Sequence, residues 1–386
     1  MRADSGAIQS SQMVDYKFDF GTGNTNPETF PSEAFAKAAG RVIPGLSESL
    51  SHYPGKYGHE GLRRLMADRE FDREGVRVDP QNMILTNGSM QAITLIAQTF
   101  CRHENSCIVM EEFCYPGSVN AFADMGIDMV GVPCDDHGMQ TSELESILST
   151  LVSQDRMPGF IYTLPTYQNP TGTVMPVERR RELLDVARKF GCILVEDNCY
   201  ADVHYDGEKP PALYAMASDV RHIYLSSLSK IFAPGIRLGY LIAEPPLLNE
   251  ILPHRHDAGP NTLAAAVAEE YLRGQLWQHI DRTNAALKLK RDAMLDALET
   301  HCGNLCSYVS PAGGLFIWVQ LAGSIDADRL DKEAEASSLR YLPGRNFHIN
   351  GNDVPYIRLA FGYPSVSEIE AGIRQLAECM KRSNRD

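Results

Sequence analysis

The sequence is short of the features that mark secreted, membrane-bound or nucleic-acid-binding chains. No apolar run in its 386 residues approaches the ~18 needed to cross a bilayer. The opening stretch, MRADSGAIQSSQMVDYKFDF, lacks the basic-then-apolar order of a secretory signal. Positive charge is the minority sign, with 36 basic against 50 acidic residues and a formal charge of −14. That balance excludes a general nucleic-acid or anionic-membrane surface, although it leaves room for a local basic pocket. The nine cysteines are odd in number, scattered and without a C-x-x-C pair, which fits reduced thiols used as small core residues. There is no internal repeat, heptad run or low-complexity linker. The expectation is a cytoplasmic protein with no nucleic acid, membrane or metal among its partners.

What is present is ordinary globular material, 44% apolar and 22% charged, in a chain longer than one compact core usually accommodates. Strands and helices alternate. NMILTNG feeds the helical SMQAITLIAQTF, and SCIVMEE, GFIYTLP, CILVEDNCY, HIYLSSLSK and GYLIAE continue the strand series. Between them MPVERRRELLDVARKFG has Pro176 near a helix start, Gly191 at its stop, and an apolar stripe through Leu183, Leu184, Val186 and Ala187. Such alternation implies an α/β domain with a mostly parallel sheet covered on both faces. After about residue 261 a long helical stretch, two strands (GGLFIWVQL and PYIRLAFGY) and a last helix suggest a smaller α+β domain. Ser365 and Glu368 have capping-box spacing for that last helix.

Open parallel sheets bind ligands beyond the carboxyl ends of their strands, and four such ends carry chemistry here. Gly88 and Ser89 stand at a strand-to-helix junction, where free amides and the helix dipole suit a phosphate. Asn169, in YQNPTG, offers an amide donor. Asp197 ends VEDNCY, with Tyr200 three residues on. The fourth end, SSLSKIFAPGIRLG, gathers Ser227, Ser229, Lys230 and Arg237 in a stretch that otherwise looks like core. A lysine there is either a solvated charge or an amine made nucleophilic by desolvation, the usual preparation for Schiff-base chemistry. Taken singly these are caps and turns. Together they specify a ligand with a phosphate, a phenolic oxygen, a protonated ring nitrogen and an aldehyde carbon, which is the inventory of pyridoxal 5'-phosphate.

YQNPTG, VEDNCY and SLSKIFAPGIRLG, in that order, carry a resemblance to fold-type I pyridoxal-phosphate enzymes, in particular the class I/II aminotransferases. The branch it is similar to contains the aminoadipate, kynurenine and aromatic amino-acid aminotransferases. The resemblance runs from about residue 18 to the carboxyl end, and the separations of 28 from Asn169 to Asp197 and 33 from Asp197 to Lys230 agree with it. It implies a large domain with a seven-stranded-type, mostly parallel sheet over 46–265, a small domain over 266–386, and an amino-terminal arm with part of the small domain over 1–45. It implies transfer of an amino group between an amino acid and a 2-oxo acid. Lys230 would bond to the cofactor aldehyde and then serve as acid and base. Asp197 would pair with the ring nitrogen and keep it protonated, and Asn169 and Tyr200 would hold the phenolic oxygen. Ser89, Ser227, Ser229 and Arg237, with the amides of Ser89 and Met90, would bind the phosphate. Tyr115 falls where the family stacks an aromatic on the ring, and Arg358 where it clamps the α-carboxylate. Gly23 falls where an amino-terminal segment passes the substrate. Tyr53 matches a tyrosine that reaches the phosphate of a neighbouring subunit, which implies a homodimer with shared active sites.

The pattern departs from the family at Thr25, where proline is usual, at Phe113 and Cys114 in EEFCY, and at Asn198 and Cys199 in EDNCY. These departures are expected to lie near the substrate. His52, His59, His254 and His256 are candidates for the mouth, read more readily as structural histidines. Fold alone does not choose the reaction. Retention of a carboxylate clamp favours transamination, and the alternative is β-elimination or decarboxylating or oxidative deamination of an amino-acid conjugate in specialised metabolism. A ligand-sensing regulator of the same branch would need an amino-terminal DNA-binding module ahead of the pattern, and a strongly negative chain does not favour it.

Overall fold

The computed structural model describes residues 16–103, 106–216 and 219–384. The first fifteen residues of the arm expected over 1–45 lie outside the described residues. Seven strands form the central sheet: β1 (Met83–Thr86), β2 (Cys107–Glu111), β3 (Asp128–Val132), β4 (Pro158–Thr163), β5 (Leu194–Asp197), β6 (His222–Ser227) and β7 (Gly239–Ala243). Their order across the sheet is β1-β7-β6-β5-β4-β2-β3. Every neighbouring pair is parallel except those of β7, which runs antiparallel to both β1 and β6. The mostly parallel expectation therefore holds, with one reversed strand.

The strands read as continuous apolar runs because both faces are covered. Every residue of β1, β2, β5 and β7 is buried. One face packs on the helices Ser89–Phe100 and Pro245–Ile251 through Ile93, Ile96, Leu247 and Ile251. Part of the other rests on Thr141–Ser153 and Val177–Phe190 through Leu144, Leu148, Leu183 and Ala187. The latter helix starts after Pro176 and stops at Gly191, which takes a left-handed conformation (φ 63°).

The reversal of β7 matters for the site. Its first residues lie at the same sheet edge as the carboxyl ends of its neighbours, with Gly239 opposite both Thr86 and Ser227. Arg237, two residues earlier, is thereby carried back beside the turn after β1. That turn contains Gly88 at φ 79°, and a Cβ on Gly239 would lie 2.9 Å from the Gly88 carbonyl carbon. Only glycines allow the two backbones to approach so closely.

A four-stranded antiparallel sheet forms from the carboxyl-terminal part: β8 (Cys306–Tyr308), β9 (Phe316–Leu321), β10 (Leu342–Pro343) and β11 (Tyr356–Ala360), in the order β8-β9-β11-β10. The helices Leu276–Cys302 and Val366–Arg382 cover it through Met294, Leu298, Ile373 and Leu376, packed on Ile317, Val319, Ile357 and Leu359. The second helix begins with the capping box that its sequence predicts. Ser365 Oγ accepts from the Glu368 amide, and the Glu368 carboxylate accepts from the Ser365 amide. Phe18–Asp19 pairs in parallel with Leu339–Arg340, so the amino-terminal segment is fastened to this sheet's side of the molecule. From there residues 21–24 run across the carboxyl edge of the central sheet.

Candidate active site

A cavity of about 480 Å³ opens at that edge, between the two sheets. Of the residues singled out from sequence, Gly23, Ser89, Met90, Tyr115, Asn169, Asp197, Tyr200, Ser227, Ser229, Lys230, Arg237 and Arg358 all line it. Gly88 stands immediately behind as the residue before the helix Ser89–Phe100. Tyr53 does not line it: that side chain is 87% exposed on the surface of the chain.

Lys230 projects its amine into this cavity and donates to the Gly23 carbonyl at 2.7 Å. Burial, more than the nearby Arg358 and Arg237, lowers its pKa to about 8. The desolvated reading of this lysine is the one the fold realises. A Cβ on Gly23 would come 3.2 Å from the Phe316 ring and 3.7 Å from the lysine Nζ, so a glycine leaves this passage open.

Asp197, at the end of β5, is 4% exposed. Its Oδ2 accepts from Tyr162 Oη at 2.8 Å and its Oδ1 from the Cys199 amide at 3.2 Å. Burial pushes the carboxyl pKa up, and these hydrogen bonds pull against it. Among the described residues no arginine or lysine forms an ion pair with it.

At the other end of the cavity Ser227 Oγ donates to Ser229 Oγ at 2.9 Å and accepts from the Ser229 amide at 3.1 Å. Arg237, at φ 55°, lays its guanidinium against the turn after β1 and donates to the Asn87 carbonyl at 2.9 Å. The helix Ser89–Phe100 starts here without a side-chain cap, so its first amides remain available to an anion.

Arg358, on β11, is 2% exposed and lies between the rings of Phe316 and Phe347, 4.1 and 4.8 Å from their centroids. It donates to Asn169 Oδ1 at 2.9 Å and to the Gly21 carbonyl at 2.6 Å, while its buried Nε has no partner. Burial lowers its pKa to about 10. Asn169 precedes a cis proline. Its carbonyl oxygen is taken by Arg358, which leaves the amide NH2 as the donor toward the cavity.

The residues present fit pyridoxal phosphate on these observations. An uncapped helix start, two serine hydroxyls and an arginine face one end. A buried carboxylate with no ion pair among the described residues, a desolvated amine and a buried arginine with an unspent donor face the middle.

Several of the lining residues carry no signal in the sequence. Gly21, Phe316 and Arg340 belong to this cavity although each comes from a segment far from the four strand ends. Tyr162 supports Asp197 from the adjacent strand. The family departures are placed differently from expectation. Of Thr25, Phe113, Cys114, Asn198 and Cys199, only Cys199 lines the cavity. Phe113 turns toward Trp318 and His348, with ring centroids 5.7 and 5.5 Å away, because its backbone bridges to His348. The four candidate histidines do not line the cavity either. His59 caps the helix Glu60–Glu74 by accepting from the Leu62 amide at 3.2 Å, and the Arg102 guanidinium lies against both ring nitrogens of His254.

Comparison with known proteins agrees with this geometry. The family description "Aminotransferase class I and II" matches residues 16–376. The chain belongs to that family. It is 34% identical over 358 residues to aromatic-amino-acid aminotransferase 1 of Thermococcus litoralis, covering 92% of this chain and 86% of the relative. It superposes on the kynurenine aminotransferase of Pyrococcus horikoshii, solved with PMP, with a TM-score of 0.90 at 31% identity, covering 99% and 95% of the two chains. An alpha-aminoadipate aminotransferase of Thermus thermophilus, solved with N-(5'-phosphopyridoxyl)-L-leucine, gives a TM-score of 0.87 at 28% identity over 98% and 96%. The protein is a fold-type I, pyridoxal-phosphate-dependent aminotransferase. The eliminating and decarboxylating alternatives gain no support from these relatives.

Proposed function

We propose that the residues of this cavity divide the work of transamination as follows. Ser227, Ser229, Arg237 and the amides of Ser89 and Met90 hold the cofactor phosphate. Gly88 keeps the turn open for them. Asp197, tied down by Tyr162 and the Cys199 amide, holds a protonated ring nitrogen. Asn169 and Tyr200 donate to the phenolic oxygen, and Tyr115 covers the ring. When bound, the cofactor supplies the sink for the electron pair released at the substrate Cα. Arg358 binds the α-carboxylate through its fork, with Gly23 beside the substrate. Lys230 would hold the cofactor through its aldehyde in the resting enzyme, and its amine would carry the proton at the substrate Cα. An amine with a pKa near 8 suits that duty, because both protonation states are accessible near neutral pH.

The amino donor is an amino acid and the acceptor a 2-oxo acid. The observation that carries this reading is the convergence on one cavity of a partly buried Lys230 whose amine is desolvated, a buried Asp197 with no ion pair among the described residues, and a buried Arg358. The test is the Lys230→Ala variant. Borohydride should fix the cofactor to the parent chain and fail to fix it to the variant, and mass spectrometry of the reduced peptides reads the difference. Fixation in the variant would move the attachment site elsewhere.

Two further parts of the reading concern context. The molecule acts as a homodimer in which Tyr53 of a second copy completes the phosphate site, a view supported by the exposure of Ile43, Leu50 and Tyr53 on one stretch of chain. It works in the cytoplasm, which the nine unpaired thiols support, and among the described residues no helix is long and apolar enough to cross a membrane. Its organisation is an amino-terminal arm over 1–45 with part of the small domain, a cofactor domain over 46–265 and a small domain over 266–386.

A further inference from the structure

Two guanidinium groups converge on one glycine. The Gly21 carbonyl accepts from Arg358 Nη2 at 2.6 Å. The Arg340 side chain covers the same residue so closely that a Cβ on Gly21 would lie 2.9 Å from Arg340 Nε. Both arginines line the active-site cavity. They differ in depth, for Arg358 is 2% exposed whereas the Arg340 side chain retains 41% of its surface at the mouth.

They differ in partners as well. Arg358 has two hydrogen-bond acceptors and two aromatic faces. Arg340 has one carboxylate, Asp19, at 3.7 Å, and the ring of Tyr16 at 5.6 Å. Among the described residues its guanidinium donates no hydrogen bond. Asp19 is itself engaged, since its Oδ1 accepts from the Gly21 amide at 2.8 Å. The backbone of Arg340 is nonetheless fixed, in register with Asp19 and with its carbonyl accepting from the Phe20 amide at 2.8 Å. The stem is therefore placed and the fork is unspent. Two like charges beside one residue repel each other, and an anion between or beside them relieves this.

We propose that Arg340 is a specificity-determining residue that receives the distal carboxylate of an acidic amino acid and of its dicarboxylic 2-oxo acid. Arg358 holds the α-carboxylate of the same molecule, and in that respect the proposal rests on the function proposed above. The deeper arginine fixes the end that every amino acid shares. The shallower one meets the end that differs. A neutral side chain leaves Arg340 with Asp19, while an acidic one gives it a bidentate partner in place of a loose one.

The test uses the cofactor-loaded enzyme and the variants Arg340→Gln and Arg340→Lys, with thermal unfolding to confirm their fold. The ratio of kcat/KM for glutamate to that for leucine should fall at least about tenfold in Arg340→Gln, chiefly through KM. Arg340→Lys should fall between, because an ammonium keeps the charge without the fork. Calorimetry with glutarate and butyrate supplies a readout independent of turnover, and Arg340→Gln should weaken glutarate by about the same factor relative to butyrate. An unchanged glutamate-to-leucine ratio, or equal losses for both probes, overturns the proposal. Arg358→Gln separates the two readings. If it leaves butyrate binding intact, the α-carboxylate assignment fails, and the glutarate-to-butyrate ratio in Arg340→Gln still decides the role of Arg340.

Discussion

Tyr162 Oη donates a 2.8 Å hydrogen bond to Asp197 Oδ2 from the neighbouring strand of the sheet. Burial drives the Asp197 carboxyl toward its neutral form, and this hydrogen bond acts against burial by favouring the anion. Asp197→Asn removes the charge itself, so it should lower kcat about a hundredfold or more while changing cofactor affinity far less. Tyr162→Phe removes only the support, with an expected loss of about five- to tenfold. Loss of a bond to the charged form raises the carboxyl pKa further, so the acidic limb of the pH–rate profile should move to higher pH in Tyr162→Phe. A profile that drops without moving would reduce Tyr162 to a packing role.

Lys230 makes the cofactor-free chain pH-sensitive in a predictable direction. Its pKa is near 8 when folded and near 10.5 when free, so between these values the unfolded chain binds more protons. Stability then rises with pH across that window, and below it the buried amine costs up to about 3 kcal/mol. Lys230→Met should accordingly raise the melting temperature of cofactor-free protein at pH 7, and the gain should shrink as pH approaches 10.5. Calorimetric scans at pH 7 and 10 check this. A variant less stable than its parent at pH 7 would mean that the bond to Gly23 outweighs the desolvation.

Gly88 is held at φ 79°, and a Cβ there would come 2.5 Å from Arg237 Nη2. Gly88→Ala therefore combines backbone strain of about 1–3 kcal/mol with displacement of the arginine proposed above to hold the cofactor phosphate. The expected result is a cofactor dissociation constant raised about tenfold or more. Cofactor titration followed by fluorescence reads it. Unaltered affinity would show that Arg237 can be displaced without loss.

The parts of this molecule that were legible in the sequence are those whose signal is local. Asp197 and Lys230 stand two and five residues beyond the buried apolar runs Cys192–Val195 and Ile223–Leu225, and polar side chains so soon after such runs are conspicuous. Asn169 follows β4 and announces itself through the turn chemistry of its neighbours. Ser365 and Glu368 sit three residues apart in one helix turn. The direction of β7 was not legible, because GYLIAE presents the same apolar faces either way. Gly21, Phe316 and Arg340 were not legible for a different reason. Nothing within several residues of Arg340 distinguishes it from a surface arginine. Its place at the cavity follows from the pairing of Asp19 with a strand more than three hundred residues later in the chain.

Tyr53 offers the sharpest test of the assembly. A large aromatic side chain 87% exposed in the loop between the helices Ser47–Leu50 and Glu60–Glu74 is costly to leave in water, and Leu50, 50% exposed, stands close by in sequence. Their exposure is that of a single chain, and burial against a second copy would account for it. If Tyr53 serves the partner's phosphate end, a Tyr53→Ala chain damages the site of its neighbour and keeps the rest of its own. A Lys230→Ala chain damages only its own. In a mixed dimer one site then receives both faults and the other receives none. Equal mixing of the two variants under subunit exchange should restore about a quarter of the parent activity, since half of the dimers are mixed and each contains one intact site of two. Exchange is verified independently by mass labelling. No rescue despite verified exchange would show that each chain completes its own site, and the exposed stretch would need another partner.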